Sequence, residues 1–431
     1  MVQMFDLQHT FRDPLHGYIA VSAAERKLID SPVFQRMRRI RQLGTTYLLY
    51  HGAEHTRFGH SLGVLEMATR VLQAIRRKQP EILGSNEEFG RALQLARLAG
   101  LLHDIGHSPF SHASEEVFPK KPNGVAYKHE EYSEALILNS EVAEIIETNF
   151  ADVGITPKNV VDVVKDPTEH GRTGILLKAI VAGELDADRM DYLLRDSLYC
   201  GVSYGNYDSA RLLDTITAVD DEGVLNLAVE FGGLHALEGF LLARYQMFVQ
   251  VYLAPVRRFY DLALVRFLQS ILPDGHYPPP DQVDAYLAWD DQRVLEAARA
   301  QVDGNDWAAA LWERRHWPLI GEASPEAGDD IYQWGVATAR IEAAFPDCVL
   351  VDPARARTQL SGPRPYVTGG AELAERPQIL VLDSNGGKKR VEEMSPVVRS
   401  ISSQNLLITR LYARLDRAEE VRRQFLLELG G

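Results

Sequence analysis

Nine of the thirteen histidines fall before residue 130: His9, His16, His51, His55, His60, His103, His107, His112 and His129. The densest stretch reads Leu101-Leu102-His103-Asp104-Ile105-Gly106-His107-Ser108-Pro109-Phe110-Ser111-His112. An apolar helix there ends in an adjacent His-Asp pair, and a Gly-Pro loop carries two further histidines. Imidazole and carboxylate together suit a divalent first-row metal, and an adjacent pair offers both from one backbone turn. Two ligands do not make a stable site, so others must come from elsewhere. His60, in Thr56-Arg57-Phe58-Gly59-His60-Ser61, and Asp188, in Glu184-Leu185-Asp186-Ala187-Asp188-Arg189-Met190-Asp191-Tyr192, are the candidates. A carboxylate on an otherwise apolar helix is costly unless paired or bound to metal.

Composition narrows the chemistry further. The only cysteines, Cys200 and Cys348, have no ligand-pair spacing, so a metal must rely on His and carboxylate. A net charge of −14 argues against a protein that coats duplex nucleic acid. A small anion could still be held locally, for instance by Arg36, Arg38, Arg39 and Arg41. No apolar run reaches the roughly 18 residues of a spanning helix, and the first residues lack a signal-peptide pattern, so the cytoplasm is the expected location, with no membrane partner.

The elements that must position these groups read as mainly α. From about Ala23 to Ser270, apolar residues recur at three- and four-residue spacing with few sheet signals. Ser31-Pro32 opens one helix through Ile40, Ser61 to Arg76 lies on another, and Leu93 to His103 on a third. Val224 to Phe231 suggests a short strand before Gly232-Gly233. The Pro- and Gly-rich segment from Leu272 to Pro280 suggests a boundary, with a helical domain over 1–270 and a smaller mixed α/β lobe over 271–431. In that lobe, Asp281 to His316 reads as helical, Cys348 to Val351 and Gln378 to Leu382 as strands, and Ala413 to Leu429 as a final helix. At 431 residues, with 45% hydrophobic and 25% charged residues, the chain has ample core for this layout.

From Phe11-Arg12-Asp13-Pro14-Leu15-His16-Gly17 to about Tyr207, the chain resembles the HD-domain phosphohydrolases. Within them it resembles the deoxynucleoside triphosphate triphosphohydrolases, which cleave dNTPs to deoxynucleoside and inorganic triphosphate. The resemblance implies an HD helical bundle in which His60, His103, Asp104 and Asp188 hold a divalent metal, with Mn, Fe, Co, Ni and Mg all open. It implies supporting or catalytic roles for His107, His112 and His129, with His112 as general acid and Glu115 orienting it. Arg57 and Arg189 would face phosphate, and Tyr192 and Asp196 the sugar, one and two turns after Asp188. Gln42 and Leu43 would flank sugar and base. Asp30, Gln35 and Arg38 match positions that bind a guanine-nucleotide activator between subunits, which implies a homo-oligomer. One departure stands out: aligning Tyr245-Gln246-Met247-Phe248 with a later family helix puts Val251, Phe259 and Tyr260 where an Arg and a Tyr-Gln pair are expected, leaving Arg257 or Arg258 as substitutes. Two other functions fit the same residues. One is an HD-type phosphodiesterase, nucleotidase or nuclease acting on other phosphoesters, single-stranded nucleic acid ends included; the other is a nucleotide-binding protein without turnover.

Overall fold

Two long helices, Arg57–Lys78 and Asn86–Leu102, pack against each other and are buried around most of their circumference, as expected of central core helices. The second starts at Ser85, whose hydroxyl accepts the Glu88 N–H while the Glu88 carboxylate accepts the Ser85 N–H. It can lie close to its neighbour because residue 100 is glycine: a Cβ there would stand 3.3 Å from Val64 Cγ1. It stops at His103, so the His-Asp pair sits at the end of its axis. A third helix, Ala187–Cys200, also packs on Arg57–Lys78, with Asp186 capping its start through the Arg189 N–H. These three helices bring residues 60, 103, 104 and 188 together.

The computed structural model describes residues 7–221, 223–324, 327–352, 379–402 and 408–430. It is mainly α with small sheets, as the sequence implies. An N-terminal hairpin, β1 (His9–Asp13) and β2 (Gly17–Val21), was not legible as such; the Asp13 carboxylate shapes its turn by accepting the Leu15 and His16 N–H groups, both at 2.9 Å. The expected strand near Val224 is β4 (Val224–Glu230), and it pairs with a second strand the helical reading passed over, β3 (Ile216–Asp221). Ser31 caps Pro32–Gln35 as expected, but the chain then tightens into a 3₁₀ turn at Arg36–Arg39, giving two short pieces instead of one helix.

The expected division near residue 270 is crossed by the chain. In the later part, β5 (Leu319–Ala323), β6 (Val349–Asp352) and β9 (Thr409–Ala413) form an antiparallel sheet in the order β5-β9-β6. Yet β7 (Leu380–Leu382) and β8 (Lys388–Arg390) leave it and extend the first body's sheet, in the order β3-β4-β7-β8, with β7 parallel to β4. Ile379, Val381, Val391 and Val398 are buried in the main core cluster with Leu227 and Val229. Gln378, expected to open this strand, lies outside the described residues. The final helix begins at Ala418 rather than Ala413, because Thr409–Ala413 is spent in β9. Among the described residues, no helix is long and apolar enough to cross a membrane.

Candidate metal centre and substrate cavity

His60 and His103 present their Nε2 atoms to the same two carboxylate oxygens. His60 Nε2 lies 2.9 Å from Asp188 Oδ1 and 3.5 Å from Asp104 Oδ2; His103 Nε2 lies 3.7 Å and 3.3 Å from the same atoms. Both nitrogens are buried, and neither makes a directed hydrogen bond. The opposite ring nitrogens are engaged: His60 Nδ1 is 2.8 Å from Asp191 Oδ2, and His103 Nδ1 is 2.8 Å from the Gly100 carbonyl oxygen. An imidazole that donates from Nδ1 keeps its lone pair on Nε2, which is how histidine meets a metal. Ligand atoms of His60, His103 and Asp104 lie within 4.8 Å of one another. The donor set therefore fits a divalent cation. Electrostatics point the same way. Burial opposes charge on both imidazoles, but Asp188 and Asp191 outweigh it at His60, and Asp104 and Asp188 at His103, so both titrate above the ordinary range.

The loop histidines form a second cluster beside the first. His107 Nε2 lies 3.2 Å from Asp104 Oδ1, and its ring stacks on that of His129 with centroids 3.9 Å apart. His112 Nδ1 and His129 Nδ1 both meet Glu115 Oε1, at 2.9 Å and 2.7 Å. Burial would lower His129, but Glu115 outweighs it and pushes the ring up to about 9. His107, buried beside Arg57 and His129, falls well below the usual imidazole range. The ligand-capable atoms of His107, His112, Glu115 and His129 also lie within 4.8 Å of one another. The loop is held in strained backbone, with Phe110 and Ser111 at φ 60° and 57°. Asp291, at the start of the Asp291–Ala300 helix, ties it down by accepting the Phe110 N–H at 2.7 Å and the Arg41 N–H at 2.9 Å.

Both clusters border a cavity of about 410 Å³. Gln42, Leu43, Arg57, Arg189, Tyr192 and Asp196 all line it, together with His112 and His129. Arg57 is paired with Asp104 and donates to Ser111 Oγ at 2.9 Å. Arg189 donates to Asp186 and the Gly183 carbonyl through one terminal nitrogen, while its Nε makes no hydrogen bond. Asp196 receives Tyr252 Oη at 2.6 Å and His55 Nε2 at 2.8 Å.

Two expectations need correction. Val251, Phe259 and Tyr260 are not the cavity residues of the later helices: Phe259 and Tyr260 pack with Trp317 and Tyr412, while Arg244 and Tyr252 face the cavity. The helix Leu234–Met247 runs into a π-turn at Phe248–Tyr252, which shifts the facing positions, and Arg257 and Arg258 join the wall from the next helix, Pro255–Ile271. Arg36, Arg38, Arg39 and Arg41 do not form a shared anion pocket. Arg36 is buried and donates to the Trp289 and His107 carbonyls, Arg38 lies 3.5 Å from the Phe58 ring centre, and Arg39 and Arg41 pair with Asp290 and Glu54. Asp30, the last residue of the Ala23–Asp30 helix, pairs with Arg26, and Gln35 accepts from Arg38 at 2.8 Å; all three lie away from the cavity.

Residues 57–196 match the HD domain family, and residues 207–317 match the HD-associated region. The Bacillus subtilis protein "Uncharacterized protein YwfO" is 31% identical over 426 residues, covering 94% of this chain and 92% of its own. The crystal structure of a hypothetical protein from Aquifex aeolicus superposes with TM-score 0.75 at 30% identity, over 96% of this chain and 99% of the other. The Gallus gallus deoxynucleoside triphosphate triphosphohydrolase SAMHD1 is 34% identical over 231 residues, which is 49% of this chain but 37% of that protein. The match to the HD domain begins at Arg57 and ends at Asp196, enclosing all four residues that converge on the two free imidazole nitrogens, and with full-length relatives on both sides the chain belongs to the HD-domain phosphohydrolases.

Proposed function

We propose that this enzyme hydrolyses deoxynucleoside triphosphates to deoxynucleoside and inorganic triphosphate. The observation that carries the reading is one cavity in which the His-Asp cluster meets five arginines, Arg57, Arg189, Arg244, Arg257 and Arg258, and the set Tyr192, Asp196 and Tyr252. Phosphoryl transfer needs cations around the phosphate oxygens, and the arginines supply that surface. The likeness to SAMHD1 over the HD region supports the substrate class.

His60, His103, Asp104 and Asp188 would hold the metal, which when bound supplies Lewis acidity toward a phosphoryl oxygen and an activated water. Water oxygen joins the α-phosphorus and the displaced water proton stays on the triphosphate product or passes to solvent; the bond from phosphorus to the sugar 5′-oxygen breaks, and that oxygen takes a proton. His112 delivers it: Glu115 holds the Nδ1–H, which leaves the other nitrogen of the imidazolium to donate. His107 and His129, stacked on each other, meet the His112 ring edge-on, and His129 holds the position of Glu115. Tyr192 packs against the sugar where a ribose 2′-hydroxyl would stand, Asp196 accepts the 3′-hydroxyl through a remaining lone pair, and Gln42 and Leu43 border the base. Asp30, Gln35 and Arg38 are assigned to a guanine-nucleotide activator held between subunits, with trace dGTP or GTP expected to speed hydrolysis of the other dNTPs.

The test is a screen of the four dNTPs and four NTPs, singly and mixed, against Mg, Mn, Fe, Co and Ni, with products identified by phosphorus NMR. Intact triphosphate is expected, with NTPs the poorer substrates. Release of phosphate or mononucleotide with dNTPs untouched would overturn the assignment in favour of another HD-type phosphoesterase.

A further inference from the structure

Asp191 is fully buried and receives four donors. His60 Nδ1 and Arg195 Nε meet Oδ2, each at 2.8 Å; His16 Nε2 and one Arg195 terminal nitrogen meet Oδ1, at 2.6 Å and 2.9 Å. The other Arg195 terminal nitrogen donates to Asp13 Oδ2 at 2.9 Å, and the same Asp13 side chain folds the hairpin turn that presents His16. The carboxylate can approach only because residue 63 is glycine: a Cβ there would stand 1.9 Å from Asp191 Oδ1. Gly63 lies three residues after His60 on one helix, so the ligand and the gap for its partner share a face.

We propose that His16, Gly63, Asp191 and Arg195 are positioning residues that lock His60 into the tautomer able to bind a cation. The proposal rests on reading His60 as a metal ligand. A carboxylate has no proton to offer, so it forces His60 to donate from Nδ1 and to keep its lone pair on Nε2. Arg195 and His16 hold both carboxylate oxygens, leaving Asp191 one orientation. The N-terminal hairpin thus belongs to the metal centre, although no residue of it reaches the cavity wall.

The test is Mn²⁺ binding by chelator-stripped protein in equilibrium dialysis, with the thermal melt of the metal-free protein recorded alongside. Asp191→Asn can turn its amide N–H toward His60 and favour the wrong tautomer; it should weaken Mn²⁺ binding about 10- to 100-fold. Gly63→Ala should do the same by displacing the carboxylate. His16→Phe removes one donor and should weaken binding, whereas His16→Gln retains an N–H and should recover most of it. A folded Asp191→Asn protein with wild-type affinity overturns the proposal. If that variant does not fold, equal affinities for the two His16 variants overturn it instead. His60→Ala separates the layers. Undiminished Mn²⁺ binding in that variant sinks the ligand reading itself, while loss there, with none in Asp191→Asn or His16→Phe, sinks only the positioning role.

Discussion

His112 keeps Nδ1 on Glu115 while its ring lines the cavity, so it is the residue best placed to give up a proton there. Replacing it with Gln should lower kcat about 10²- to 10⁴-fold, the usual worth of a general acid, while metal content stays constant. Wild-type turnover in that variant would remove His112 from the chemistry. A second prediction concerns a buried pair away from the site. Glu25 accepts from Arg97 at 2.6 Å and 2.8 Å and from Gln94 at 2.9 Å. Burial raises its carboxyl, but Arg97 outweighs this and the group sits below its ordinary value. A depressed folded-state value gives stability that is present above the unfolded value, about 4.3, and is lost as pH falls through the folded one. Glu25→Gln, which strands the Arg97 charge, should cost about 3–5 kcal/mol at pH 7. Urea melts over a pH series should show the gap to wild type constant above about pH 5 and closing in acid. The candidate ligand set was legible only through the family resemblance of its four segments together, since a lone His-Asp pair is a weak signal. Asp191 was not, because a third acid in Asp186-Ala187-Asp188-Arg189-Met190-Asp191 gives no sign of which side chain points inward. Nor was the turn of Arg189 onto Asp186, which depends on local geometry.

Between residues and fold, the loop from Asp104 to Phe118 is held by an element distant in sequence. Its left-handed Phe110 and Ser111 cost roughly 1–3 kcal/mol each and persist only because neighbours fix them. Asp291 is the principal clamp, one oxygen on each of two backbone N–H groups; burial pushes its carboxyl up to about 6 despite them. Asp291→Asn keeps one acceptor and points an amide at the other N–H. The expected result is a loss of about 100-fold in kcat from a displaced His112, with Mn²⁺ binding unchanged. Turnover equal to wild type would show that the loop holds itself. Long helices were legible from periodicity, and the His-Asp pair from its place at a helix end. The π-turn at Phe248–Tyr252 was not, because an extra residue per turn leaves no compositional mark.

At the scale of the whole molecule, the late strands β7 and β8 join the sheet of the first body across the break that composition marks. Val381 is fully buried against the first body's core. Val381→Ala should therefore lower the stability of the HD body by about 2 kcal/mol from lost methyl burial. Calorimetry should show the transition of the HD body moving; a shift confined to a separate, smaller transition would assign β7 to an independent unit. The Pro- and Gly-rich break near residue 270 was readable as composition, but the return of the chain to an earlier sheet is a long-range pairing that local pattern does not encode. That return has a kinetic side. On the ribosome, 150 residues of synthesis separate Glu230 from Leu380, about 10 to 30 s at ordinary elongation rates. Throughout that interval β4 carries an unpaired edge, the kind of surface that recruits other strands. Translation speed across the second half of the message thus sets how long each new molecule is exposed to aggregation.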